Sequence, residues 1–128
     1  MIIRIDTVST TPIYVQLRNE IVKGIGRGEL SEGECLPTVR QLAADLGVNS
    51  MTVSKAYQTL KAEGFIETDR RRGAIVRSGV QSGAQPDERF REKLEDELEL
   101  LSAEAKLRGL KREDFLRLCE DAFAEMGV

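Results

Sequence analysis

Between Thr38 and Glu63 the segment TVRQLAADLGVNSMTVSKAYQTLKAE carries two amphipathic helical periods, separated only by Gly47, Val48 and Asn49. Val39, Leu42, Ala43 and Leu46 recur at helical spacing on the first, and Val53, Ala56, Tyr57 and Leu60 on the second. Thr38 is a good N-cap for the first helix and Asn49 for the second. Gly47 supplies the left-handed residue that closes the first helix. Two short helices joined this tightly must bury both stripes in one core, which is the helix-turn-helix arrangement.

The flanks extend this core. Pro12 suits a helix's first turn with Thr11 as N-cap, and Tyr14, Leu17, Ile21 and Ile25 then form one stripe until Gly26 and Gly28 end it. SEGECLP predicts a turn, with Pro37 forcing Leu36 out of helical geometry. Beyond Gly64, FIETDRRRGAIVR predicts a strand over Phe65–Thr68, a turn through Arg70–Gly73 and a strand over Ala74–Arg77. The IIRI run near the start alternates and predicts a further short strand. SGVQSGAQPDE is rich in Ser, Gly and Gln and predicts a linker. Asp87 and Glu88 then favour a helix start through the macrodipole. A stripe of Phe90, Leu94, Leu98, Leu101 and Ala105 follows, then a break at RGLKRED. Phe115, Leu118, Cys119, Ala122 and Met126 mark the last helix.

The expected fold is mainly α with a small β-hairpin. A winged helix-turn-helix spans residues 1–77, a linker 78–86, and a two-helix dimerisation segment 87–128. The dimerisation reading follows from area: the stripes through Phe90, Leu94, Leu98, Leu101 and through Phe115, Leu118, Ala122 are too extensive for a lone helical hairpin. A second copy would cover them.

The net charge of −3 hides an uneven distribution. Residues 1–77 hold 11 Lys/Arg against 9 Asp/Glu, or +2, whereas residues 78–128 hold 8 against 13, or −5. A mildly basic front and an acidic back suit two modules with different partners.

The second helix of the motif opens on short polar side chains. Asn49, Ser50, Met51 and Thr52 occupy the tip that a helix-turn-helix presents to base edges and phosphates in the major groove. Asn49 also has the plain role of capping. Small hydroxyls and amides permit close approach, and an exposed Met51 can touch a thymine methyl. Ser54 and Lys55 follow one turn on, off the buried stripe, and Lys55 together with Arg40 forms a phosphate-binding pair. Arg70, Arg71 and Arg72 sit at the hairpin tip, where arginine can enter an A·T-rich minor groove. Gly73 lets the backbone approach closely. Asp69 runs against this charge, and either steers the turn or pairs with a neighbouring arginine.

In that order, TPIYVQL, LPTVRQLAADLGVNSMTVSKAYQTLKAEGFIE and RRRGAIV resemble the GntR family of bacterial transcription regulators. Pro12, Ile13, Tyr14 and Gln16, with the helix bearing Asn49, Thr52, Val53, Lys55, Ala56 and Tyr57, are similar to its YtrA-like branch in particular. The resemblance covers residues 1–77 by motif and 87–128 by architecture. It implies a DNA-binding regulator, expected to repress, that grips the DNA backbone through Arg40 and dimerises through its last two helices. It also implies control of a neighbouring transporter operon. The family often carries arginine directly after the cap, where this chain has Ser50, so bidentate guanine reading is not expected there.

The expected partners are a double-stranded, near-palindromic DNA operator and a second copy of the chain. A small-molecule effector would have a cleft between paired helices as its place. No cofactor and no catalytic or metal-binding residue is expected, since the chain has no histidine, no phosphate-cradling glycine motif and no grouped carboxylates. No apolar run approaches the roughly 18 residues of a membrane span. A cytoplasmic protein with two free thiols, Cys35 and Cys119, is the expectation. The competing readings are a winged-helix module that binds another protein and, more remotely, an enzyme.

Overall fold

The computed structural model describes residues 3–77 and 88–127. The chain forms two compact units. The first holds α1 (Ile13–Gly26), α2 (Val39–Leu46), α3 (Ser50–Ala62), β1 (Ile66–Asp69) and β2 (Gly73–Val76); the second holds α4 (Glu88–Leu107) and α5 (Arg112–Ala124). The linker expected over 78–86 lies outside the described residues, as does Asp87.

The start of α1 differs from expectation. Thr11 is not the N-cap: Pro12 takes that position with extended backbone, and its carbonyl accepts from the amides of Val15 and Gln16, both at 3.1 Å. Gln16 ties the preceding segment to the helix instead. Its Nε2 donates to the carbonyls of Asp6 (2.9 Å) and Thr11 (2.8 Å), while its Oε1 accepts from the Asp6 amide at 2.8 Å. The strand expected from the IIRI run does not form over residues 3–5, and the backbone of Asp6 beside them is satisfied by that one side chain rather than by a ladder. Ile3 and Ile5 still pack against the core.

The helix-turn-helix follows its local signals. Thr38 accepts from the Gln41 amide at 3.1 Å and Gln41 Oε1 accepts from the Thr38 amide at 3.2 Å, a reciprocal capping box. Gly47 closes α2 at φ 68°, and Asn49 Oδ1 accepts from the Met51 amide at 2.8 Å to start α3. Leu17, Ile21, Val53, Ala56 and Leu60 are fully buried, joined by Leu30, Leu36, Leu42, Ile66 and Val76. Burying each of the larger side chains contributes about 1.5–3 kcal/mol. Tyr57 donates its hydroxyl to the Pro37 carbonyl at 2.7 Å, tying α3 to the entrance of α2, and burial pushes its phenol up to about 12. Arg18 on α1 grips Glu63 with two hydrogen bonds (2.9 and 2.7 Å) and lies over the Phe65 ring, locking the far end of α3.

β1 and β2 pair antiparallel with Ile66 opposite Val76 and Asp69 opposite Gly73, one residue off the expected bounds at each end. The segment expected as a simple turn before Pro37 does more. Gly33 N donates to the Val76 carbonyl, Val76 N to Glu34 and Leu36 N to Ala74, all at 2.8–2.9 Å, so this stretch lies along the second edge of β2. Cys35 bridges Ile75 there.

In the second unit, Gly109 at φ 84° breaks the chain between the helices, and Glu113 and Asp114 place negative charge in the first turn of α5. No described residue of α4 or α5 is buried. Among the described residues no helix is long and apolar enough to cross a membrane.

Candidate nucleic-acid interface

The tip of α3 is largely open to solvent. The Asn49 cap holds the first turn open to solvent, Ser50 is exposed, and Met51 is 76% exposed although it is apolar. Thr52 is half-buried. Asn49 takes the first-turn amides of Met51 through its side chain and of Thr52 (3.0 Å) and Val53 (3.4 Å) through its carbonyl, so the tip offers an anion chiefly the positive end of the helix dipole.

Arg40 lies exposed in the first turn of α2 and makes no hydrogen bond or ion pair among the described residues. Lys55 is exposed on α3, and its Nζ stands 4.2 Å from the centroid of the Tyr14 ring on α1. Tyr14 had no part in the sequence-level site. It sits on the buried stripe of α1, and nothing local links it to Lys55.

The wing separates its three arginines into two kinds. Asp69 Oδ1 accepts from the amides of Arg71 (2.7 Å) and Arg72 (3.1 Å), so it folds the turn rather than pairing with a guanidinium. Those two backbone bonds, Arg71 first, together with the Arg72 charge, hold its carboxyl below the usual range. Arg70 and Arg71 point their side chains into solvent with no partner among the described residues. Arg72 instead donates to the Gly33 carbonyl, fastening the wing to the strand-like segment beside β2. Gly73 needs its glycine, with φ 78° where β2 begins.

Ser54, Arg72 and Gly73 come together around one cleft of about 380 Å³ between α3 and the wing. Gln58, Lys61 and Thr68 line the same cleft and were missed by the sequence reading. Gln58 and Lys61 continue the face of Ser54 at helical spacing, a signal that was available. No carboxylate lines it.

On the second unit Phe90, Leu94, Leu98 and Leu101 of α4 and Leu118 and Ala122 of α5 are exposed, whereas Phe115 is half-buried. Leu100, Leu107, Leu110, Leu116 and Phe123 add to this exposed apolar surface, Phe123 at 81%. The stripe reading missed them because they fall off the near-heptad spacing. Cys35 and Cys119 are both unpaired and exposed.

The family model described as bacterial regulatory proteins, gntR family, matches residues 11–76. The regulator Rv1152 of Mycobacterium tuberculosis is 39% identical over 74 residues, and the transcriptional repressor YtrA of Bacillus subtilis 41% identical over 80 residues. These alignments cover 58% and 62% of this chain but only 61% and 62% of those two proteins. The uncharacterized regulator YhcF of Bacillus subtilis is 32% identical over 109 residues, covering 84% of this chain and 87% of its own. Among solved structures, YtrA from Sulfolobus acidocaldarius is 41% identical with a TM-score of 0.67, covering 80% of this chain and 99% of that one. A transcriptional antiterminator from Listeria monocytogenes EGD-e superposes over 100% of this chain and 95% of its own, with TM-score 0.85 and 26% identity. The DNA-binding domain of AraR, solved in complex with operator ORR3, matches at TM-score 0.51 and 26% identity over 58% of this chain and 89% of that one.

Proposed function

The chain belongs to the GntR family of bacterial transcription regulators, is YtrA-like within it and binds DNA; on that premise we propose that it is a homodimeric repressor acting on a near-palindromic operator. In this reading residues 1–77 are the DNA-binding domain, and α3 enters the major groove by its tip. Asn49, Ser50, Met51 and Thr52 meet base edges. Arg40, Ser54 and Lys55 meet phosphates, and Arg70 and Arg71 reach the adjacent minor groove. Arg72 and Gly73 shape the wing that carries them.

The observation that carries this is the exposed Met51 at the start of α3, together with cations on α2, α3 and the wing that make no ion pair among the described residues. Without a partner, exposing that apolar side chain while leaving these charges unmatched stabilises nothing. Against DNA, both features are used: methionine against a thymine methyl, cations against phosphate. The repressor sign is supported by the name of the 41%-identical YtrA, and operator binding by the AraR complex.

Residues 87–128 are the dimerisation segment. The exposed leucines of α4 and α5 support this, since helices that fully bury no described side chain gain most of their stability from a partner. A cleft of about 360 Å³ lined by Ala105, Lys106, Leu110 and Phe115, where α4 turns into α5, is a place for a small-molecule effector. The protein works in the cytoplasm, where the DNA is, and has no catalytic role.

The test is selection of bound sequences from a random duplex pool, followed by footprinting. The reading expects two inverted half-sites centred roughly one or two helical turns, about 34 or 68 Å, apart. Recovery of no preferred sequence, with weak and salt-insensitive binding, would favour a protein partner for the α3 face.

A further inference from the structure

Among the described residues of the first unit two cations stack over aromatic rings, and they are built differently. Arg18 lies 5.6 Å from the Phe65 centroid, and Glu63 takes its guanidinium with two hydrogen bonds. That cation is neutralised on the spot. Lys55 lies 4.2 Å from the Tyr14 centroid, well within the roughly 6 Å range of a cation–π contact, and no carboxylate pairs with it.

The difference matters for a residue that must meet an anion. A lysine held by a carboxylate has its charge cancelled, and an incoming phosphate must displace that partner. A lysine held by an aromatic face keeps its full charge. The ring occupies one side of the ammonium and leaves N–H bonds on the other side for an acceptor. A long lysine stem left loose would instead lose rotamer freedom at the moment of binding.

Tyr14 packs at the edge of the core rather than inside it. Leu17 and Ile21, the next residues of its stripe, are fully buried, while Tyr14 is only half-buried. Its ring faces outward enough to carry a cation.

We propose that Tyr14 is a positioning residue for DNA binding: its ring holds the Lys55 ammonium, still charged and unpaired, on the DNA-facing side of α3. This rests on the reading that α3 faces DNA. It makes the first turn of α1 part of the interface without requiring that Tyr14 touch DNA.

A phosphate contact is independent of sequence, so a labelled mixed-sequence duplex is a sufficient probe. Its Kd is measured across salt for the full chain carrying Tyr14→Phe, Tyr14→Leu, Lys55→Gln or Tyr14→Leu with Lys55→Gln. Proton NMR of the Lys55 ε-methylene reports the ring directly. The expected result is an upfield-shifted ε-methylene in the wild type and in Tyr14→Phe, and an ordinary shift in Tyr14→Leu. Tyr14→Leu should weaken binding roughly two- to fivefold, and Tyr14→Phe should bind like the wild type. Lys55→Gln should weaken binding and lower the salt slope by about one, and adding Tyr14→Leu to it should cost nothing more. A Tyr14→Leu loss of equal size with and without Lys55 would make the tyrosine merely structural and overturn the proposal. So would an unshifted ε-methylene in the wild type. If Lys55→Gln leaves both affinity and slope unchanged while the wild type binds, Lys55 meets no phosphate and the proposal falls, with the reading for the tip and wing intact. If the wild type itself fails to bind duplex, the reading of α3 falls first and takes the proposal with it.

Discussion

Asp69 is an acid in a turn of arginines, and simple charge counting would have it oppose DNA. The structure gives it a backbone task instead, accepting from the amides of Arg71 and Arg72. Asp69→Ala should therefore speed exchange of those two amides and weaken DNA binding, even though it removes a negative charge facing the phosphates. Stronger binding by Asp69→Ala would mean that charge outweighs turn geometry. The pH dependence has a definite sign. The folded carboxyl titrates below its ordinary 3.8, so its contribution to wing order is present above that value. It is lost as pH falls through the lower folded value. The Arg71 and Arg72 amide resonances should report that loss only below pH 3.8. Tyr57 behaves in the opposite sense. Its phenol stays protonated in the fold up to about 12 against an ordinary 10.0. Its stabilising effect is complete below pH 10 and declines as pH rises from 10 towards 12. Tyr57→Phe should cost about 0.5–1.5 kcal/mol in urea unfolding at neutral pH, and should lose less stability than the wild type between those two pH values.

At the scale of elements, the helices were legible because their signals are local. Thr38, Gly47 and Asn49 act within a turn or two of their own positions, and the stripe from Val53 to Leu60 is buried as its spacing predicts. The edge segment beside β2 was not legible. Its ladder uses the amides of Gly33 and Leu36 and the carbonyl of Glu34, groups that nearly every residue carries, and the side chains around them show no alternation. The start of α1 was misread for a related reason: Gln16 serves the backbone of Asp6, a contact set by tertiary placement. The wing shows the same limit at the site. Three consecutive arginines look equivalent in sequence, yet only Arg72 is fastened to Gly33. Arg70→Ala and Arg71→Ala should each lower duplex affinity and the salt slope by about one, with the melting temperature unchanged. Arg72→Ala should instead loosen the wing, seen as faster amide exchange at Gly33 and along β2. Identical behaviour of all three variants would show that the Gly33 contact does not matter in solution.

For the whole molecule, the two units differ in surface chemistry: cations without an ion pair among the described residues on the first, exposed leucines with acidic neighbours on the second. The proposed dimer would cover the second surface and strengthen the first, because two linked half-site contacts bind with the avidity of an intramolecular second step. Leu98→Asp combined with Leu118→Asp should give a monomer by light scattering with the first unit still folded. The same protein should lose most of its affinity for a two-half-site duplex while keeping that for a single half-site. A double variant that remains dimeric would place the interface elsewhere.

On the proposed reading the α3 tip reads bases while the wing arginines bring charge to the minor groove, so the two should respond differently to substitution. One titration addresses it directly: the salt-dependent affinity of wild type, Met51→Ala and Arg71→Ala for a selected operator and for a mixed-sequence duplex. Arg71→Ala is predicted to weaken both duplexes alike and to lower the slope by about one. Met51→Ala is predicted to leave the slope and the mixed-sequence affinity intact while weakening the operator by about 1–3 kcal/mol per base pair it reads. Equal binding by all three proteins to both duplexes would contradict the account.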